Sequence, residues 1–187
     1  MPGGKLSLPE SERLVLREWR EKDWPFFAAM NANPQVMRFF PGVMTDKDSL
    51  SMWNRMREEL DERGYGLYAV ELKHSGSLIG LLGFHWADFE ADFTPCVEIG
   101  WRLVPEAWGC GYATEGARAC LKHGFARFGF DRVYSFTACV NFPSQAVMQR
   151  VGMRKIAEFN HPKVAPDSIL YPHVLYVKDT FRKIERE

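Results

Sequence analysis

The chain has 187 residues, 46% of them hydrophobic, 26% charged and 14% aromatic, which suits one domain with a proper core and argues against disorder. Lys plus Arg and Asp plus Glu number 24 each, so the net charge of zero gives no electrostatic pull toward nucleic acid or an anionic membrane. Met1 to Ser11 lacks the apolar region of a secretory signal, and no apolar run approaches the ~20 residues of a membrane span. Cys96, Cys110, Cys120 and Cys139 form no Cys-x-x-Cys pair, and the five histidines have no metal-binding spacing. The expectation is a reduced, cytoplasmic protein without a metal site.

Residues 1–11 read as a flexible tail and residues 12–187 as a single domain. Leu14, Leu16 and Trp19 lie in a short strand-like stretch. Asp23 is placed to N-cap a helix carrying Trp24, Phe27, Ala28 and Met30, with Pro25 in its first turn and Pro34 beyond its end. Thr45 and Asp48 resemble a capping box. The helix after them sets Leu50, Trp53, Met56 or Arg57, and Leu60 on one face, and Gly64 stops it. Tyr65 to Leu72 and Leu78 to Phe84 read as two strands joined by a turn at Lys73 to Ser77. A polar and aromatic loop, Trp86 to Pro95, leads to a strand from Val97 to Val104.

Ala113, Ala117, Cys120, Leu121, Gly124, Phe125 and Phe128 recur at three- and four-residue intervals, which predicts one long amphipathic helix ending at Gly129. Val133 to Val140 is a strand. Pro143 to Val151 is a short helix stopped by Gly152, and Met153 to Phe159 and His173 to Phe181 are the last strands. A meander feeding a strand–helix–strand crossover predicts an α/β fold with a mixed, mostly antiparallel sheet rather than a doubly wound parallel one.

The stretch Val97-Glu98-Ile99-Gly100-Trp101-Arg102-Leu103-Val104-Pro105-Glu106-Ala107-Trp108-Gly109-Cys110-Gly111-Tyr112-Ala113-Thr114-Glu115 joins a strand to a helix through two glycines. The first turn of a helix has unpaired N–H groups and partial positive charge, and Gly109 and Gly111 let backbone approach a ligand closely. Together they form an anion cradle suited to a pyrophosphate. A plain βα turn that binds nothing is the alternative. A P-loop fits worse, because Tyr112 and Ala113 follow Gly111 instead of Lys and Ser or Thr. A dinucleotide fingerprint fits worse too, because Pro105 to Trp108 separate strand from glycines.

These elements, taken in order, resemble the GNAT acetyltransferase superfamily, in particular its RimJ/RimL branch of ribosomal-protein N-terminal acetyltransferases. The resemblance rests on Glu12-Arg13-Leu14-Val15-Leu16-Arg17, Leu78-Ile79-Gly80, Glu98-Ile99-Gly100-Trp101, Trp108 to Glu115, Asn141-Phe142-Pro143-Ser144 and Val151-Gly152-Met153. It implies a GNAT-type sheet with a βαβ crossover that binds acetyl-coenzyme A as cosubstrate. It places the pyrophosphate at Trp108, Gly109, Cys110, Gly111, Tyr112 and Ala113. It sets Trp101 and Leu103 on the strand that pairs with the pantetheine arm, with a backbone N–H near Trp101 polarising the thioester carbonyl. It also lets the Asn141 amide hydrogen-bond the pantetheine. Trp108 stands where the wider superfamily has Gln or Arg.

Attack of a neutral amine on a thioester needs a proton acceptor and a proton donor. The superfamily's usual Tyr position is here Met148, so Ser144 is the candidate acid, with a helix-capping role as the competing reading. Glu98, in an otherwise apolar strand, is the candidate base, with an outward-facing or salt-bridged residue as the alternative. Glu115 is expected to complement the helix dipole, and His85 and Trp86 to form core or rim near the acceptor side. The favoured acceptor, by branch resemblance, is a protein N-terminal α-amine that attacks directly in a ternary complex. A small-molecule amine, or a catalytically silent acyl-coenzyme A-binding regulatory module, are the alternatives. The expected partners are acetyl-coenzyme A and the amine, with no nucleic acid and no membrane, and a homodimer is compatible.

Overall fold

The computed structural model describes Leu8, Pro9 and residues 11–180. Its elements are β1 (Leu14–Arg17), α1 (Trp24–Ala32), α2 (Asp46–Arg63), β2 (Leu67–Leu72), β3 (Leu78–Ala87), β4 (Cys96–Leu103), α3 (Tyr112–His123), β5 (Arg132–Ala138), α4 (Phe142–Arg150), β6 (Arg154–Asn160) and β7 (Pro172–Asp179). The seven strands form one sheet in the order β1-β2-β3-β4-β5-β7-β6. Every neighbouring pair is antiparallel except β4 with β5. The expected mixed, mostly antiparallel sheet is therefore observed. None of the helices among the described residues is long and apolar enough to cross a membrane.

Helices cover both faces. Leu82, Phe84, Ile99, Val133, Ala117, Cys120 and Met148 pack between the sheet and the α3–α4 side. Trp19, Phe27, Met30, Trp53, Met56, Ala69 and Leu81 form a second core on the α1–α2 side. Truncating a fully buried aromatic such as Phe27 to Ala costs about 3–5 kcal/mol in comparable cores.

Local chemistry accounts for most of the helix ends. Thr45 Oγ1 accepts from Asp48 N at 3.2 Å and Asp48 Oδ2 accepts from Thr45 N at 3.2 Å, the expected capping box at the start of α2. Gly64 ends α2 at φ 74°, in the left-handed region that glycine enters without a Cβ penalty.

Several expectations are corrected. Asp23 sits at the N-cap position of α1, yet its side chain makes no cap bond to that helix. Its carboxylate instead accepts from Arg17 Nη1 at 2.6 Å, from Arg17 Nη2 at 3.1 Å and from Arg20 N at 2.9 Å. Burial raises the Asp23 pKa, but these donors outweigh it and hold the carboxyl below its ordinary value. A buried Arg17 needs its charge matched, and that need wins over capping. Leu50 is 49% exposed and leaves the core face of α2 to Trp53, Met56 and the half-buried Leu60.

The long helix after Gly111 does not stay α-helical. It passes at Gly124 into a π-helical turn, Gly124–Phe128, which ends at Gly129 with φ 65°. A Cβ at Gly124 would lie 2.6 Å from Phe84 Cζ, so the chain there presses directly on the sheet's aromatic residues. Most of the tail expected over residues 1–11 lies outside the described residues. Within it, Leu8 packs on the core and Pro9 is buried.

Candidate active site

The parallel β4–β5 pair is registered only at Glu98↔Tyr134, beyond which the two strands part. A residue's N–H and C=O leave a strand on the same side, and that side alternates along the chain. Val104 N donates to Ile79 O on the β3 side, whereas Ile99 O accepts from Ser135 Oγ at 2.8 Å on the β5 side. Trp101 has the parity of Ile99, so its N–H and C=O face the gap. Leu103 also faces it, but its carbonyl accepts from Trp108 Nε1 at 2.8 Å. That bond fixes the indole against the strand end and sets the path of the turn that follows.

The gap opens into a groove of about 1350 Å³. The groove runs past Trp101, Leu103, Trp108, Gly109, Gly111, Tyr112 and Ala113, and past Glu98, Asn141 and Ser144. The residues singled out in the sequence therefore meet in one place, with Cys110 exposed at the turn and anchored through its carbonyl, which accepts from Arg13 Nη1 at 3.1 Å. Gly109 and Gly111 have φ of 73° and 80°. Gly111 is the N-cap of α3, and no side chain caps that end. A Cβ at Gly109 would meet nothing within 4 Å, and one at Gly111 would have only Arg13 Nη2 at 3.5 Å. The start of α3 thus offers unpaired N–H groups to open space, the geometry of an anion cradle.

Glu115 does more than complement the helix dipole. It accepts from Arg13 N at 2.7 Å, from Arg13 Nε at 2.6 Å and from Ser11 Oγ. Arg13 in turn lies 4.6 Å over the Tyr112 ring. Ser11 and Arg13, just before β1, are thereby tied to the rim of the cradle. Arg118, Lys122 and Arg150 add positive charge to the groove wall beside α3 and α4. Sequence reading passed over them, although Arg118 and Lys122 lie one turn apart on α3.

Glu98 is half-buried and reaches back over Gly100, where an added Cβ would sit 3.9 Å from Oε1. Burial pushes its carboxyl up to about 7, against the pull of His85 and with a further push from Glu59. His85 is the cross-strand partner of Glu98. Its Nδ1 lies 2.7 Å from Glu59 Oε2, and Glu59 Oε1 also accepts from Trp86 N. Burial lowers the His85 pKa, but the bond to Glu59 and the two nearby carboxylates outweigh it, and the net direction is upward. His85 is therefore a groove residue, and Glu59 is its anchor. Neither spacing nor periodicity marks Glu59, because α2 and β3 meet only in three dimensions.

The capping role weighed for Ser144 falls to Asn141. The helix begins at Phe142, and its N-cap is Asn141, whose Oδ1 accepts from Ser144 N at 3.3 Å. Asn141 Nδ2 donates to Thr137 Oγ1 at 2.8 Å and to Ser144 Oγ at 3.2 Å. Ser144 is not the cap. It accepts a hydrogen bond and keeps its own hydroxyl hydrogen for the groove. Met148 is buried in the core and lends no polar atom.

Residues 13–154 match the family described as the acetyltransferase (GNAT) domain. The chain belongs to the GNAT acetyltransferase family. It is an acyltransferase, and the GNAT fold read from its sequence is the fold observed. The uncharacterized N-acetyltransferase YnaD of Bacillus subtilis is 32% identical over 146 residues, which span 78% of this chain and 81% of YnaD. Among solved structures, a GNAT-family acetyltransferase from Bacillus anthracis is 27% identical, with a TM-score of 0.75 over 92% of this chain and 98% of that one. RimL, a ribosomal L7/L12 α-N-protein acetyltransferase solved with coenzyme A, has a TM-score of 0.74 over 92% of this chain and 97% of its own, at 18% identity. That last likeness is one of fold alone.

Proposed function

We propose that this acyltransferase takes its acetyl group from acetyl-coenzyme A and passes it to a primary amine by direct attack in a ternary complex. One observation carries the reading: an uncapped helix start, an unpaired strand edge at Trp101, a carboxyl with a raised pKa and a free serine hydroxyl line the same groove. The cradle at Gly109 and Gly111 is open enough for phosphate oxygens, so the residues fit the cosubstrate. Acetyl-coenzyme A supplies the thioester that the amine attacks.

The chain's residues divide the remaining work. Backbone N–H groups from Gly109 to Ala113 hold the pyrophosphate, with Trp108 and the Cys110 carbonyl fixing the turn. The Trp101 N–H, which faces the gap, would donate to the thioester carbonyl oxygen, where negative charge develops. Glu98 accepts a proton from the amine. A carboxyl near pH 7 is better matched to that task than one near 4.5, because its ionised form is a stronger base. Ser144 Oγ–H donates to the departing sulfur. Asn141 positions Ser144 by capping the helix that carries it.

A protein N-terminus and a small amine both present the required nucleophile. The RimJ/RimL branch suggests the first, and the cation Arg102, which lines the groove on the same face of β4 as Glu98, favours the second. The test is to follow free thiol release from acetyl-coenzyme A against a panel of small amines and N-terminal peptides. Thiol release that depends on any of these amines supports the transferase reading; release with none of them overturns it.

A further inference from the structure

Glu98, Gly100 and Arg102 alternate along β4 and point to the same face of the sheet. Gly100 leaves the floor between the two charges bare. Arg102 lines the groove and is half-buried. Nη1 donates to Asn31 Oδ1 at 2.5 Å, with the sulfurs of Met44 and Met52 each 3.9 Å away. The guanidinium lies 4.3 Å over the Phe40 ring. Asn31 is fully buried and its Nδ2 lies 3.4 Å from Ser49 Oγ, which turns Oδ1 toward the arginine. Arg102 is thus held by one corner and one face.

The other edge has no protein partner. Nε is buried without a hydrogen-bond acceptor, and none of the ion pairs among the described residues includes Arg102. Burial lowers its pKa to about 10, as expected for a guanidinium with no carboxylate to match it. The sheet has solved this problem elsewhere: Arg17 is buried and is matched by both Asp23 and Glu71. The Nε–Nη2 edge of arginine is a fork of N–H donors that matches the two oxygens of a carboxylate. Arg38 and Lys163 line the same groove and enter none of those ion pairs either. His161 and His173 add no charge at neutral pH, because burial lowers both. Glu59 is occupied by His85.

Resting on the transferase reading above, we propose that Arg102 is a specificity-determining residue, and that the acceptor is a small amine carrying its own carboxylate, an amino acid or a short peptide with a free C-terminus. The amine lies on the Glu98 side of Gly100, and the carboxylate lies on the far side against Arg102, whose Nη2 is the donor that the groove can reach. A polyamine places a second cation against Arg102 and is disfavoured. A protein N-terminus brings no carboxylate near its amine unless its own side chains supply one.

The experiment measures acetylation of free amino acids, their methyl esters and amides, spermidine, and peptides with amidated C-termini, using wild-type protein, Arg102→Gln and Arg102→Lys. The expected wild-type result is a kcat/KM about 10- to 100-fold higher for the acid than for its ester or amide, the range for a hydrogen bond to a charged group. In Arg102→Gln the acid should fall to the level of the ester. Arg102→Lys, which keeps the charge and loses the fork, should fall between and guards against a failure of the Gln variant to fold. Equal wild-type rates on acid and ester, or a preference for acidic peptide N-termini or polyamines, overturn the proposal while leaving the transferase reading intact. An equal loss on every acceptor in both variants also overturns it, since that marks Arg102 as a clamp on Asn31 alone. Thiol release with none of these amines overturns both.

Discussion

Replacing Glu98 with Gln separates the catalytic cost of this residue from its stability cost. The folded carboxyl titrates near 7 against an ordinary 4.5. A carboxyl whose pKa is raised on folding favours the folded state only while it is protonated. As pH rises through about 4.5 the unfolded chain ionises first, and the folded state loses relative stability until Glu98 itself ionises near 7. Above that pH the penalty is constant. A shift of this size corresponds to about 3 kcal/mol, and residual solvent access at the groove reduces it to about 2 kcal/mol. Glu98→Gln removes the charge and keeps the shape. The variant should therefore match wild type in stability near pH 4, gain steadily between about pH 4.5 and 7, and exceed it by about 2 kcal/mol at pH 8. Over the same range kcat/KM should fall and its acidic limb near pH 7 should vanish. Urea denaturation and thiol-release rates measured across pH give both curves. A variant less stable than wild type at pH 8, or a pH–rate profile that keeps its limb, refutes the placement of a desolvated base at this position.

Gly111→Asp should weaken acetyl-coenzyme A binding, measured by calorimetry, far more than Gly111→Ala, which shares the left-handed backbone strain of about 1–2 kcal/mol without the charge. Equal losses in the two would remove the anion cradle from the account. Asn141→Ala should lower stability by about 1 kcal/mol as the lost cap of α4, whereas Ser144→Ala should lower kcat with little effect on melting temperature. A Ser144→Ala variant with full kcat would leave that hydroxyl without a catalytic role. Glu59→Gln should lower the His85 pKa toward or below its ordinary value, detectable by NMR titration of the imidazole, because the carboxylate that opposes burial is gone.

Features governed by neighbours along the chain were legible in the sequence. The capping box at Thr45 and Asp48, the stop at Gly64 and the glycine turn at Gly109 and Gly111 each follow from a few adjacent residues. What failed were choices between a local and a distant partner. Asp23 is a good cap by type, but Arg17 lies close in the fold and is buried. The capping role weighed for Ser144 turned on a local choice instead: Asn141, three residues earlier, takes the position, and its amide donates to the serine oxygen. The π-helical turn at Gly124 depends on how closely Phe84 and Phe130 approach from other elements. Glu59 and His85 are brought together by the packing of α2 on β3, which no spacing encodes. Arg102 was within reach: Glu98, Gly100 and Arg102 alternate with apolar residues, a period-two pattern that places both charges on one face of β4.

Rapid mixing tests direct acetyl transfer within a ternary complex most directly. Enzyme mixed with acetyl-coenzyme A alone should release no thiol and carry no acetyl adduct by mass spectrometry. Thiol should appear only when an amine is added, in step with N-acetylated product. A burst of one equivalent of thiol before any amine is present, with acetyl left on the chain, would contradict the account.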